Sequence, residues 1–407
     1  MSTGVCRRPG RRFSRRSRPT GALVVALCTT VLCMAVLSAC SSPGSTPAAT
    51  APGAGTSAGV ALATSFATQE KAWAVVAMGH LDDPVNTFWQ LLVRPTGSSG
   101  WQLATPPGVA SNGGLVASFT SPAMVTAGFE PSIDLHFSPL AQQSDPAAAW
   151  SPGVLPGRLA FAPDALAASS AHRYLALLGA GGSRVVASTG DLSTWSTVAS
   201  IRGLAGAPAA SACGITALTA VAFGDGGADL VGTACARGSR AGIFESEGGS
   251  WQAVGPALPG LPGPTRVLRL VDTPAGVSAL VDSGPIGSRT LYALFSEDGS
   301  RTWTVSAALH LDRAPVTSTG VTPAGGLIVT TGGGAGERSA SVVGPSGGGW
   351  QPLPAPPAGT SAVAAGPGGS FEALMADRST LAVYLLGAGG WHRVQSLAVA
   401  IQYGSSG

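Results

Sequence analysis

Five arginines stand at near-constant distances ahead of a tryptophan. Arg184, Arg240, Arg289, Arg338 and Arg378 precede Trp195, Trp251, Trp303, Trp350 and Trp391 by 11, 11, 14, 12 and 13 residues. A guanidinium offers a planar fork of donors that suits a carboxylate or a phosphate. Repeated at one place in successive units, that fork would line one face, and an anion- or partner-binding face is one expectation. The other is that each arginine solvates a turn and was copied along with its repeat. The equivalent segments of the first two units carry Asp82, Asp83 and Glu130 instead, so the face would be basic over five units and acidic over two. Other chemistry is sparse. His80, His136, His172, His310 and His392 are scattered without ligand spacing. No cysteine pair has zinc spacing. No nucleophile elbow, phosphate loop or dinucleotide fingerprint sits between a strand and a helix. Asp82-Asp83 before Pro84 reads as a solvated turn rather than a cation loop. No metal and no cofactor is expected.

The elements that would carry those arginines are set by a repeat. Seven of nine tryptophans fall at Trp101, Trp150, Trp195, Trp251, Trp303, Trp350 and Trp391, in steps of 49, 45, 56, 52, 47 and 41 residues. Most follow an extended run and a tight polar turn, as in VVASTGDLSTW, YALFSEDGSRTW and VYLLGAGGW. Strand, Gly-rich turn and a Trp that opens the next strand form a hairpin signature. Two more short strands lie upstream, as in GITALTAVAF, turn GDGG, then ADLVGTAC. Four short antiparallel strands in about 40–50 residues is the spacing of propeller blades. Helical periodicity over more than ten residues is absent, and 58 Gly with 31 Pro fit many turns. The predicted fold is all-β: a seven-bladed β-propeller of four-stranded antiparallel blades over residues 60–407. The arginines would then occupy the turns between second and third strands, at the end of each blade opposite the Trp hairpins.

One octapeptide carries a family resemblance. Ser296-Glu297-Asp298-Gly299-Ser300-Arg301-Thr302-Trp303 resembles the Asp box of the bacterial neuraminidase (BNR) repeat, S-x-D-x-G-x-T-W, with Ser300 in place of the usual Gly. Ser188 to Trp195 resembles a degenerate copy with Asp191 displaced by one position. The resemblance implies a structural role for Ser296, Asp298, Gly299, Thr302 and Trp303: Asp and Ser bond the amides of the turn, and Trp packs between strands. For a sialidase it would further imply three arginines on a carboxylate, a Tyr–Glu nucleophile pair, an acid Asp and an early Arg-Ile-Pro-type motif. That motif is missing, and Arg94 is the only arginine of the first two units. Tyr174, Tyr292 and Tyr384 sit in apolar strand patterns and read as core; Tyr403 is the fourth tyrosine.

At the amino end, residues 7–18 hold seven arginines and no acid, and an apolar run follows from Gly21 to Leu37. A basic segment, an apolar segment and small residues before a cut form an export signal. Leu37-Ser38-Ala39-Cys40 resembles the lipobox of bacterial lipoproteins, which implies cleavage after residue 39 and lipidation of Cys40. The alternative, a membrane-spanning helix, has only 17 residues to work with. Residues 41–59 contain only Ser, Pro, Gly, Thr and Ala and read as a flexible tether. Loss of the seven arginines leaves 16 basic against 20 acidic residues, which argues against a nucleic-acid partner. Cys213 and Cys235 remain as a pair in an oxidising compartment, where a disulfide is expected; two buried thiols are the alternative. Cys213 would start the first strand of its unit and Cys235 would end the second, with the turn near Gly224 midway between them.

These readings converge on an exported protein, lipid-anchored to the outer face of the cell membrane. Its propeller would bind an anionic glycan or a protein of the envelope without catalysis. A sialidase-like glycoside hydrolase with diverged motifs is the alternative, and it needs two carboxylates at about 5–10 Å.

Overall fold

The computed structural model describes residues 62–79, 87–107, 109, 114–120, 124–129, 140–143, 148–153, 163–179, 181–208, 210–260, 263–273, 275–285, 287–332 and 337–400. The expected signal peptide (1–39), Cys40 and the 41–59 tether lie outside the described residues.

Antiparallel strands follow one another in chain order. β1 (Ala63–Ala67), β2 (Lys71–Gly79), β3 (Thr87–Pro95) and β4 (Gln102–Leu103) pair successively. So do β5 (Leu115–Thr120), β6 (Met124–Phe129), β7 (Leu140–Gln143) and β8 (Ser151–Pro152). β9 (Ala165–Ala168), β10 (Tyr174–Leu178), β11 (Val185–Thr189) and β12 (Ser196–Ser200) come next. Two short helices, α1 (Ile201–Ala205) and α2 (Ala210–Cys213), lead into β13 (Ile215–Phe223), β14 (Asp229–Cys235), β15 (Ile243–Glu247) and β16 (Ser250–Ala253). β17 (Thr265–Thr273), β18 (Gly276–Ser283), β19 (Arg289–Ser296) and β20 (Thr304–Val305) follow, with β21 (Leu309–Asp312) added against β19. The last two runs are β22 (Val316–Val321), β23 (Leu327–Gly332), β24 (Arg338–Val343), β25 (Gln351–Pro352), and β26 (Ala362–Ala365), β27 (Phe371–Asp377), β28 (Thr380–Gly387), β29 (Gly390–Ala398).

Burial explains why these sequences make strands of two kinds. β10 reads YLALL and is buried throughout, the pattern of a strand covered on both faces. β29 reads GWHRVQSLA and is largely exposed, as an outermost strand should be. The tight turns need glycine: a Cβ on Gly276, at φ 106°, would stand 2.1 Å from the Ser296 carbonyl oxygen.

The sheets depart from the expected separation. β1 pairs in parallel with β22 through Ala63↔Ser318 and Thr64↔Thr319, fusing two runs into an eight-stranded sheet. β14 meets β17 through Ala234↔Arg266 and Cys235↔Thr265, which fuses two more. Small residues let the backbones approach this closely. A Cβ on Gly232 would lie 2.7 Å from Val267, and one on Gly320 would lie 2.5 Å from Ser65. First strands are neighbours in succession: β5 touches β9, β9 touches β13, β13 touches β17, β22 touches β26, and β26 touches β1. Phe66 of β1 stacks on Phe119 of β5 with centroids 5.3 Å apart.

Each repeat Trp packs against one apolar cluster. Trp101 and Trp391 share the cluster of β26–β28, while Trp150, Trp195, Trp251, Trp303 and Trp350 each have their own. Trp350 Nε1 donates to the Ala307 carbonyl at 3.0 Å and Trp391 Nε1 to the Pro354 carbonyl at 2.9 Å, so both indoles also pin the segment leaving the preceding run.

Candidate functional site

The two ends of a third strand carry different chemistry, and β19 shows both. At its far end, Ser296 Oγ donates to Asp298 Oδ1 at 2.9 Å and accepts from the Ser300 amide at 2.7 Å. Asp298 Oδ1 accepts the Thr302 amide at 2.8 Å, and Oδ2 accepts the Thr302 hydroxyl at 2.6 Å. These bonds, the two from Thr302 foremost, hold the Asp298 carboxyl down at about 2. The turn of Ser188–Trp195 uses the same device with a different first residue. Thr189 Oγ1 donates to Asp191 Oδ1 at 2.8 Å, and Asp191 accepts the amides of Ser193 and Thr194. The spacing from hydroxyl to carboxylate is therefore unchanged from Ser296 and Asp298. The displacement expected at Asp191 is corrected: one residue is missing between Asp191 and Trp195, and Thr189 replaces Ser188 in the role. Backbone amides near 194 and 193 lower the Asp191 carboxyl well below its usual range.

All five arginines lie at the entry to a third strand, at the other end. β19 spans eight residues, so the two ends are roughly 23 Å apart. Three of the five stitch neighbouring runs together. Arg184 pairs with Asp164 at 2.5 Å and donates to the Leu218 carbonyl of β13 at 3.2 Å. Burial raises the Asp164 carboxyl, opposed by Arg184 and by Arg266 beside it. Arg338 Nε donates to the Thr360 carbonyl ahead of β26 at 3.1 Å. Arg378, left-handed at φ 49°, accepts the Gly79 amide on its carbonyl at 2.9 Å. Arg289 pairs with Asp282 across the β18–β19 hairpin. Arg240 and Arg378 have exposed side chains. Asp82, Asp83 and Glu130, expected to give the first two units their acidic turns, lie outside the described residues, as do His80 and His136.

At this end an open recess of about 550 Å³ is lined by Gly287, Ser288, Arg289, Asp312, Arg313 and Pro315. It sits between the turn into β19 and the segment leaving β21. Arg313 is exposed and has no ion-pair partner among the described residues, while Arg289 is neutralised by Asp282. Such a recess can seat an anionic group on Arg313, with the Ser288 hydroxyl and backbone beside it. Sequence reasoning missed Arg313. Its signal was an arginine before Ala-Pro in LDRAP, outside the Arg-to-Trp spacing.

The tyrosines are engaged in the fold. Tyr292 Oη donates to the Pro259 carbonyl at 2.5 Å, Tyr174 is buried, and Tyr384 packs on the β26–β28 cluster. Tyr403 lies outside the described residues. Among the described residues no three His, Cys, Asp or Glu side chains gather as metal ligands.

A second recess, about 130 Å³, lies where the first and last runs meet. There Glu372 is fully buried, forms an ion pair with Arg94, and accepts Trp101 Nε1 on Oε2 at 2.6 Å. Gln395 accepts the Trp101 amide at 2.7 Å and donates to its carbonyl at 2.8 Å. Neither Glu372 nor Gln395 stands in a motif.

Cys213 and Cys235 are disulfide-bonded, with Cα atoms 4.8 Å apart. Cys213 closes α2 rather than opening the first strand, a correction to the expected register. Gly214, at φ 60°, ends the helix and turns the chain into β13.

No family model matches the chain, and no curated protein matches it. Solved structures do resemble it. A candidate 6-phosphogluconolactonase from Bacteroides fragilis is 14% identical, over 81% of this chain and 96% of that one, with a TM-score of 0.50. The Dos1 propeller is 14% identical, over 84% and 86%, with a TM-score of 0.44. YCF48 bound to D1 peptide is 14% identical, over 69% and 85%, with a TM-score of 0.42. At this identity the likeness concerns the fold alone: the chain has an all-β fold with propeller-like neighbours.

Proposed function

We propose that residues 60–407 form a seven-bladed β-propeller of four-stranded blades, with Asp-box (BNR-type) hairpins at one end. The other end binds an anionic group on a protein or glycan of the cell envelope. The blade reading is supported by the succession of touching first strands and by the resemblance at a TM-score of 0.50. The binding reading is carried by Arg313, an exposed guanidinium with no ion-pair partner among the described residues, in the recess beside Arg289 and Asp312. The other arginines of that end mostly hold blades together, so the repeat accounts for them and not for Arg313. The lipobox-like Leu37-Ser38-Ala39-Cys40 supports lipidation of Cys40 and a place on the outer face of the cell membrane.

Binding of the mature protein to immobilised polyglutamate and to a sialylated oligosaccharide, with neutral dextran as control, tests the face. We expect binding to at least one acidic probe over dextran. The R240A/R313A/R378A variant should lose about tenfold or more of that affinity, equivalent to about 1.4 kcal/mol. Equal affinity for dextran, or no loss in the variant, would overturn the reading. The anchor is tested apart, by labelled palmitate: C40A should take up no label and leave the membrane fraction.

A further inference from the structure

One cation stands away from the arginine-bearing turns. Arg269 lies on β17, opposite Leu280, where a bulge shifts the register after Val267. Its Nη1 donates to Thr319 Oγ1 of β22 at 3.0 Å, and its Nη2 to the Ser65 carbonyl of β1 at 3.0 Å. One side chain therefore spans three first strands that are far apart in sequence. Protein surrounds the guanidinium, and burial alone brings it down to about 10, so it is charged at neutral pH. Solvent still reaches part of the residue.

Among the described residues no carboxylate makes an ion pair with Arg269. Asp272, three residues along β17, is exposed, and Arg269 is not among the groups acting on it. Arg266, three residues the other way, is exposed and adds a second positive group toward the arginine-bearing end. A buried charge left without a partner is costly, and a bound counter-ion removes that cost. Donors are in place for one. Of the five guanidinium N–H groups, two are used among the described residues. The Thr319 hydroxyl accepts from Nη1, and its own hydrogen has no acceptor among the described residues, although Thr319 is buried.

We propose that Arg269 and Thr319 form an oxyanion-binding point where the first strands converge, and that its ligand presents a carboxylate or a phosphate group. The planar fork beside a hydroxyl donor matches two oxygens of one group better than it matches a spherical halide. Ligand would enter from the arginine-bearing end, past Arg266. This site is separate from the Arg313 recess, and either can fail without the other.

Thermal unfolding of the mature protein during titration with sodium phosphate, and separately with sodium acetate, tests the proposal. Wild type should show a saturable rise in Tm with at least one of them, and which one identifies the group. R313A should keep that rise and R269M should lose it. R269K keeps the charge without the fork, and serves if R269M does not fold; its apparent affinity should fall by about tenfold or more. No saturable rise in wild type would overturn the proposal. So would a rise that persists in R269M, or an R269K affinity equal to wild type.

Discussion

Trp101 Nε1 donates to Glu372 Oε2 at 2.6 Å, joining residues 271 positions apart in the first and last strand runs. The acceptor is fully buried and its other oxygen pairs with Arg94, which is itself partly exposed. A buried carboxylate is tolerable only while both partners remain. W101F should keep the ring packing and lose a bond to a charged group, about 1.5–3 kcal/mol. R94A should cost about 3–5 kcal/mol, because Glu372 is left buried and unpaired. Urea unfolding of both single variants and the double should give a strongly non-additive cycle; additive losses would show that the two contacts are independent.

Ser300 stands where the Asp-box pattern has glycine, and the backbone there shows the cost. Its φ is 101°, a region disfavoured for residues with a Cβ, and its buried hydroxyl has no partner among the described residues. S300G relieves both, and should stabilise the protein by about 1–2 kcal/mol. An unchanged or lowered denaturation midpoint would contradict this.

Acid sensitivity should trace in part to the turn carboxylates. Asp298 falls to about 2 in the folded protein, against about 3.9 unfolded. A depressed carboxyl contributes stability that is complete above the unfolded value and is lost as pH drops through the folded one. Asp191 acts in the same direction. Tm should therefore decline between about pH 4 and pH 2, and D298N should decline less steeply. Identical Tm–pH curves would remove Asp298 as a contributor.

The Cys213–Cys235 bridge closes a segment with a sequence separation of 22 around the β13–β14 hairpin. Chain entropy assigns such a loop about 3 kcal/mol. C213S/C235S should lose about that much by chemical denaturation, and wild type should lose it on reduction.

The parts of this fold legible in the sequence are those written locally. Trp spacing and Gly-rich turns mark the hairpins because positive-φ positions and the Asp298 amide bonds lie within one octapeptide. The covalent pairing of Cys213 with Cys235 was legible for a similar reason, with one hairpin between them. The arginine turns were visible, but not the partners of Arg184 and Arg338, because Leu218 and Thr360 belong to the next run. Glu372 was passed over in FEALMAD, although an acid at a core position of a strand signals a buried partner. Arg269 needed β1 and β22 side by side, which no local pattern specifies. The α1–α2 pair between β12 and β13 was missed for want of length: nine helical residues carry no period.

Gln395 closes both backbone groups of Trp101 with its own amide, across 294 residues. The strands beside Trp101 thus keep an uncovered flank until the segment carrying Gln395 has been made. Any nascent fragment ending before Gly390 would lack the clamp, and the closing step has very high contact order. Docking of the β1–β4 run onto the β26–β29 run should therefore follow synthesis of both, rather than run-by-run accretion.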